Sequence, residues 1–64
     1  MKAEVNQIFN SFSRKYSFIS VEKSVVESFV NENQKWIESN SEDVVLDGLQ
    51  DYVGSQMLYD EIVY

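Results

Sequence analysis

An all-α fold, a small bundle of three or four helices completed by dimerisation, is predicted by three features of the sequence. Proline is absent and glycine occurs only at positions 48 and 54, so little interrupts a helical hydrogen-bond ladder. Apolar residues recur at helical spacing in three successive stretches, the periodicity of amphipathic helices. The chain has 64 residues, which is one domain, 1–64, and no more.

Val5, Ile8, Phe9, Phe12 and Tyr16 lie on one side of a helix of about three turns. Asn6, Gln7, Asn10 and Ser11 fill the other side, so a first helix is expected over about residues 3–15. Ser17-Phe18-Ile19-Ser20 breaks the pattern. Ser20 is the expected N-cap of the next helix, with Glu22 in the first turn where the dipole favours an anion. The β-branched residues make a strand around 16–21 the competing local reading. Val21, Val25, Val26, Phe29, Val30, Trp36 and Ile37 then follow helical spacing, with Asn33 interrupting the stripe. This predicts a second helix over about 21–39, the longest element, with Trp36 in the core.

Ser39-Asn40-Ser41 punctuates next. Asn40 can take the left-handed conformation that ends a helix, and Ser41 can cap the following one. A third helix places Glu42 and Asp43 at its positive end and Val45, Leu46, Leu49, Tyr52, Val53 and Met57 on its apolar side. Gly54 is its weak point. Leu58 and Ile62 fall out of phase with the earlier stripe, so a kink or a fresh short helix is expected at about 55–62.

A chain of this length hides only about 60% of its unfolded surface. Small domains usually compensate with disulfides, metals or oligomerisation. Cysteine and histidine are both absent, which removes disulfides and the ordinary zinc sites together. A homodimer is therefore expected, with the second helix and the apolar side of the third as its seam. Four Phe, four Tyr and one Trp supply enough apolar material for a core, which argues against disorder. No apolar run exceeds three residues, far short of the roughly 20 that a membrane span needs. Residues 1–6 lack the apolar stretch of a secretion signal, so a cytoplasmic protein is expected.

Enzyme chemistry finds little purchase. Without His or Cys, the usual general base and the thiolate nucleophile are missing. Neither glycine sits in a phosphate-cradling pattern. A glycosidase-like carboxylate pair needs a cleft wide enough for a sugar, and a domain of this length has little room for one. Neither a catalytic site nor a cofactor is expected. Asp43, Asp47 and Asp51 recur every four residues, but calcium wants six to eight oxygens wrapped around it and not a row along a rod, so no metal site is expected. The five cations, Lys2, Arg14, Lys15, Lys23 and Lys35, are too scattered for a nucleic-acid patch. Anionic lipid would repel so acidic a chain. Direct nucleic-acid and membrane binding are both set aside.

Charge distribution gives the remaining lead. Residues 1–35 carry five cations and four acids, whereas residues 36–64 carry seven acids and no cation. At 100° per residue, Asp47 and Asp51 lie 40° and 80° from Asp43, opposite the apolar stripe. Each four-residue step advances about 6 Å along the helix axis. Such a row imitates nucleic-acid phosphates and steers toward basic protein surfaces. Glu38 and Glu42 extend it at one end, Asp60 and Glu61 at the other. The expected function is therefore protein binding through the acidic C-terminal half, inhibiting or regulating a nucleic-acid-binding protein. Small inhibitors encoded by bacteriophages and mobile elements commonly have this size and charge, an argument by analogy. The competing expectation is a homodimeric structural or adaptor protein, or an accessory subunit of a larger assembly, whose acids only face water. Tyr52, Tyr59 and Tyr64 suit either an interface or a core.

Overall fold

The computed structural model describes the backbone of residues 1–62 and the side chains of residues 1–55. Its elements are four helices: α1 (Val5–Lys15), α2 (Lys23–Glu32), α3 (Gln34–Glu38) and α4 (Glu42–Ile62). No strand occurs among the described residues, and 16–22 is irregular backbone. No helix among them is long and apolar enough to cross a membrane.

α1 follows its sequence pattern. Ile8 and Phe12 are buried, with Val5, Phe9 and Tyr16 packed at the edge of the core. Ser11, read as polar-face, is also buried, because it flanks Ile8 and Phe12 on the side that meets the other helices. Arg14 and Lys15 occupy the last turn, where the helix dipole favours cations.

The second predicted helix is two. Asn33 leaves the helical region (φ −132°, ψ 29°) and separates α2 from α3. Its side-chain amide donates to the Phe29 carbonyl at 2.9 Å, and its backbone N–H reaches Val30 O. Asparagine offers the backbone this local alternative to the helical ladder. The bend brings Ile37 fully into the core and leaves Trp36, expected inside, 40% exposed. Ser20 is not the N-cap of α2. Glu22 holds that position, and its carbonyl accepts from both Val25 N and Val26 N.

Asn40 does not enter the left-handed region, since no described residue has positive φ. Its side-chain amide donates instead to the Trp36 carbonyl at 2.7 Å, and the Ser39 hydroxyl donates to Lys35 O at 2.8 Å. These side chains join the backbone N–H groups of Ser39 and Asn40, which donate to the carbonyls of Lys35, Trp36 and Ile37. The N-terminal ammonium of Met1 donates to Asn40 O at 2.6 Å, tying the chain start to the α3–α4 corner.

α4 is the longest element, at 21 residues. It runs through Gly54 without a break, so no fresh helix begins at 55–62. Glycine weakens a helix but does not stop one whose preceding turns are anchored. Here Val45, Leu46, Leu49 and Val53 are all buried. They share one core with Ile8 and Phe12 of α1, Val26, Phe29 and Val30 of α2, and Ile37 of α3. α1 packs on α2 and α4, and α2 on α4. Val45, Leu46, Leu49 and Val53, on the side of α4 expected as a dimer seam, are thus covered within one chain. The side chains of Met57, Leu58, Tyr59 and Ile62 lie outside the described residues, as does Tyr64.

The two glycines differ. A Cβ on Gly48 would meet Trp36 Cη2 at 2.7 Å, whereas one on Gly54 would find open space within 4 Å. Gly54→Ala should raise stability by about 0.5–1 kcal/mol in denaturant unfolding, the propensity difference within a helix. Gly48→Ala should gain less and shift Trp36 fluorescence to the red, because the indole must lift off α4. Equal gains with unchanged emission would contradict the seating of Trp36 on Gly48.

Candidate functional site: the acidic face of α4 and its clasp

Burial of Val45, Leu46, Leu49 and Val53 turns the opposite side of α4 outward. Asp43, Asp47 and Asp51 are all exposed there, forming the row that their spacing predicts. Glu42 is exposed but opens the helix 100° round from Asp43. Glu38 is exposed on α3, beyond the Ser39–Ser41 turn. These two carboxylates flank the row and do not continue it. Asp60 and Glu61 lie on the helical backbone of α4, with side chains outside the described residues.

The row is not without a cation. Lys15 Nζ stands 3.5 Å from Asp47 Oδ1 and 3.7 Å from Asp43 Oδ1. It also lies 5.5 Å from the centroid of the Tyr16 ring. Tyr16 donates its hydroxyl to Asp47 Oδ1 at 2.8 Å. Consecutive residues on one helix diverge by 100° and would not meet at a single carboxylate. They meet here because α1 ends between them: Lys15 is its last residue, and Tyr16 is a non-helical C-cap (φ −119°, ψ 60°). The Tyr16 N–H still donates to Phe12 O at 2.8 Å, and its ring packs on Phe12 at 5.0 Å, so the phenol is held from both ends. The charge that is segregated along the sequence is therefore partly rejoined in space.

Each member of this clasp titrates accordingly. The Tyr16 hydrogen bond and then the Lys15 charge hold Asp47 below its ordinary value. Tyr16 is raised, chiefly by its hydrogen bond to Asp47 and then by desolvation. For Lys15, desolvation disfavours the ammonium, but the combined attraction of Asp47, Tyr16 and Asp43 outweighs it and raises the group. A second tyrosine bridges helices more loosely: Tyr52 OH approaches Glu32 Oε2 at 3.4 Å, and its ring stands 5.4 Å from Phe29. Desolvation and then Glu32 raise it.

Lys15 and Tyr16 are the site residues that sequence reasoning missed. No periodic signal links positions 15 and 47. The only hint is a cation followed by an aromatic with a polar tip where α1 stops. Among the described residues, no group of three or more carboxylates converges as metal ligands would.

No family model matches the chain, and no similar protein was found among curated proteins or solved structures. Its function must be argued from the site.

The clasp has a defined pH window. With Asp47 lowered, its contribution is present above the ordinary carboxylate value of about 4 and is lost as pH falls through the lower folded value. With Tyr16 and Lys15 raised, theirs is present below about 10 and is lost as pH rises through the raised values. Asp47→Asn should bring the Tyr16 titration, followed by carbon NMR of the ring Cζ, down toward that of a free tyrosine. An unchanged Tyr16 titration would contradict the bond.

Proposed function

We propose that this protein is a protein-binding module that docks the acidic face of α4 onto a basic protein surface, inhibiting or regulating a nucleic-acid-binding protein. One observation carries the reading: Asp43, Asp47 and Asp51 are exposed on one side of α4 while its other side forms the core. The anions therefore sit on a rigid, packed rod at steps of about 6 Å. Preorganised charge of this kind raises association rates and selects partners of opposite sign. Lys15 beside the row tempers the likeness to a phosphate strand without abolishing it, since nucleic-acid phosphates also carry condensed cations that a protein displaces on binding.

A second reading, a homodimeric or adaptor protein with a solvating acidic face, draws on Trp36 and Val44. They are 40% and 44% exposed, and the indole rests on Gly48, one turn along α4 from Val44. Single exposed apolar residues are ordinary on protein surfaces, so the acidic face carries more weight.

The triple variant Asp43→Asn, Asp47→Asn, Asp51→Asn separates the readings. Exposed carboxylates contribute little to folding, so its helical circular dichroism should match the wild type. Binding to a partner captured from the native cell should weaken by about tenfold or more at 0.05 M salt, and by less at 0.3 M, where screening is stronger. Nucleic acid should compete for the same partner surface. Equal affinities of variant and wild type at both salts would reduce the face to a solvent coat.

A further inference from the structure

We infer that Trp36 is the apolar anchor of the docking surface, and that its occupant is a basic amphipathic helix of the partner. Apolar residues of that helix cover the indole and Val44, and its cations meet the aspartate row. The inference rests on the docking reading above and names the partner's chemistry.

Trp36 is held at the surface by its supports. Asn33 separates α3 from α2, and the bend takes Ile37 into the core while Trp36 stays outside. The indole then lies over Gly48, where a Cβ would meet Cη2 at 2.7 Å and Cζ3 at 3.1 Å. Phe29 supports it from below, meeting the ring edge-on at 6.4 Å and 86°. The same Phe29 ring carries Tyr52, 5.4 Å away. The indole is thus oriented from two sides, with 40% of the residue left outside. Tryptophan is enriched among binding hot spots.

Gly48 also fixes what stands around the indole. On a helix surface, the neighbours of a residue lie three and four positions away. Outward of Gly48 these are Val44, which is 44% exposed, the exposed Asp51 and the half-buried Tyr52. Asp51 lies about 60° to one side of Gly48 and Tyr52 about 40° to the other. The Tyr52 hydroxyl approaches Glu32 at 3.4 Å, so a carboxylate stands on each flank of the apolar seat. Lys35 and Glu38, both exposed on α3, cancel in charge.

Val44 and Gly48 each follow an aspartate of the row, so the apolar strip runs beside the row, about 100° round α4. Both strips repeat every four residues, or about 6 Å. A partner helix with apolar residues and cations at the same spacing matches the two strips in step. A second copy of this chain does not match. A two-fold contact sets the same patch against itself, and would bring two acidic rims together on chains that each carry a net charge of −6.

An amphipathic helical peptide of leucine and lysine tests this at low salt, with hexa-lysine amide as its charge-only counterpart. Trp36 is the one tryptophan, so its fluorescence reports the seat directly. The amphipathic peptide should shift the emission to the blue and shield the indole from acrylamide, and hexa-lysine should do neither. By calorimetry, Trp36→Ala should weaken the amphipathic peptide about tenfold, a hot-spot loss, and Val44→Ser about threefold. Hexa-lysine binding should be nearly unchanged in both. Circular dichroism checks the fold of each variant, and the wild-type emission depends on none of them. Phe18, 81% exposed in the turn after α1, controls for indiscriminate apolar contact, and Phe18→Ala should bind as the wild type does. Unshifted emission, or equal losses in Phe18→Ala and Trp36→Ala, overturns the anchor. A mass that doubles in sedimentation for the wild type but not for Trp36→Ala gives the seat to a second copy and overturns the partner helix. The triple Asp→Asn variant separates the two proposals. If it binds both peptides as tightly as the wild type, the row docks nothing and both proposals fall. If it weakens both peptides while Trp36→Ala weakens neither, the docking reading stands and only the anchor falls.

Discussion

Val45, Leu46, Leu49 and Val53 share one buried cluster with Ile8, Phe12, Val26, Phe29, Val30 and Ile37, and this contact sets the rotation of α4. Fully burying an aliphatic side chain is worth about 1.5–3 kcal/mol, so four of them outweigh any preference of the opposite face. Turning the helix half round would expose them and drive Asp43, Asp47 and Asp51 inward, at several kcal/mol for each unpaired charge. Both penalties act in one direction. The acidic row is displayed because the apolar row is hidden.

The same packing explains where the clasp forms. α1 lies against both α2 and α4, so its C-terminal end falls beside the first half of α4. Helix dipoles favour cations in the last turn of one helix and anions in the first turn of another. Arg14 and Lys15 close α1, and Glu42 and Asp43 open α4. Lys15 and Tyr16 then converge on Asp47 because the chain leaves its helix between them. The result is a surface contact that orients side chains at the edge of the core.

Much of this was legible in the sequence. The apolar periods of α1 and α4 named their buried faces, and the four-residue recurrence of aspartates named the outward row. Periodicity fails where a single side chain redirects the backbone. Asn33 bonds the Phe29 carbonyl, splits the expected second helix and brings Trp36 to the surface. Gly54 acts in the other direction: propensity marks it as a weak point where a fresh helix could start, yet the anchored turns before it carry α4 through. The Lys15–Asp47 pairing was illegible for a simpler reason: it joins residues far apart in sequence, and only the packing of α1 on α4 brings them together. A charge count along the chain therefore overstated how bare the row is.

The central claim is that α4 packs as an integral part of a single core and owes its outward face to that packing. Native-state amide hydrogen exchange tests it most directly, because exchange reports opening element by element. The account predicts that the amides of Leu49, Asp51 and Val53 exchange only through global unfolding, with the same free energy of opening as Phe12 of α1 and Val30 of α2. Amides of α4 that exchange at markedly lower free energy than those of α1 and α2 would contradict it, because a helix that detaches on its own presents no fixed acidic face.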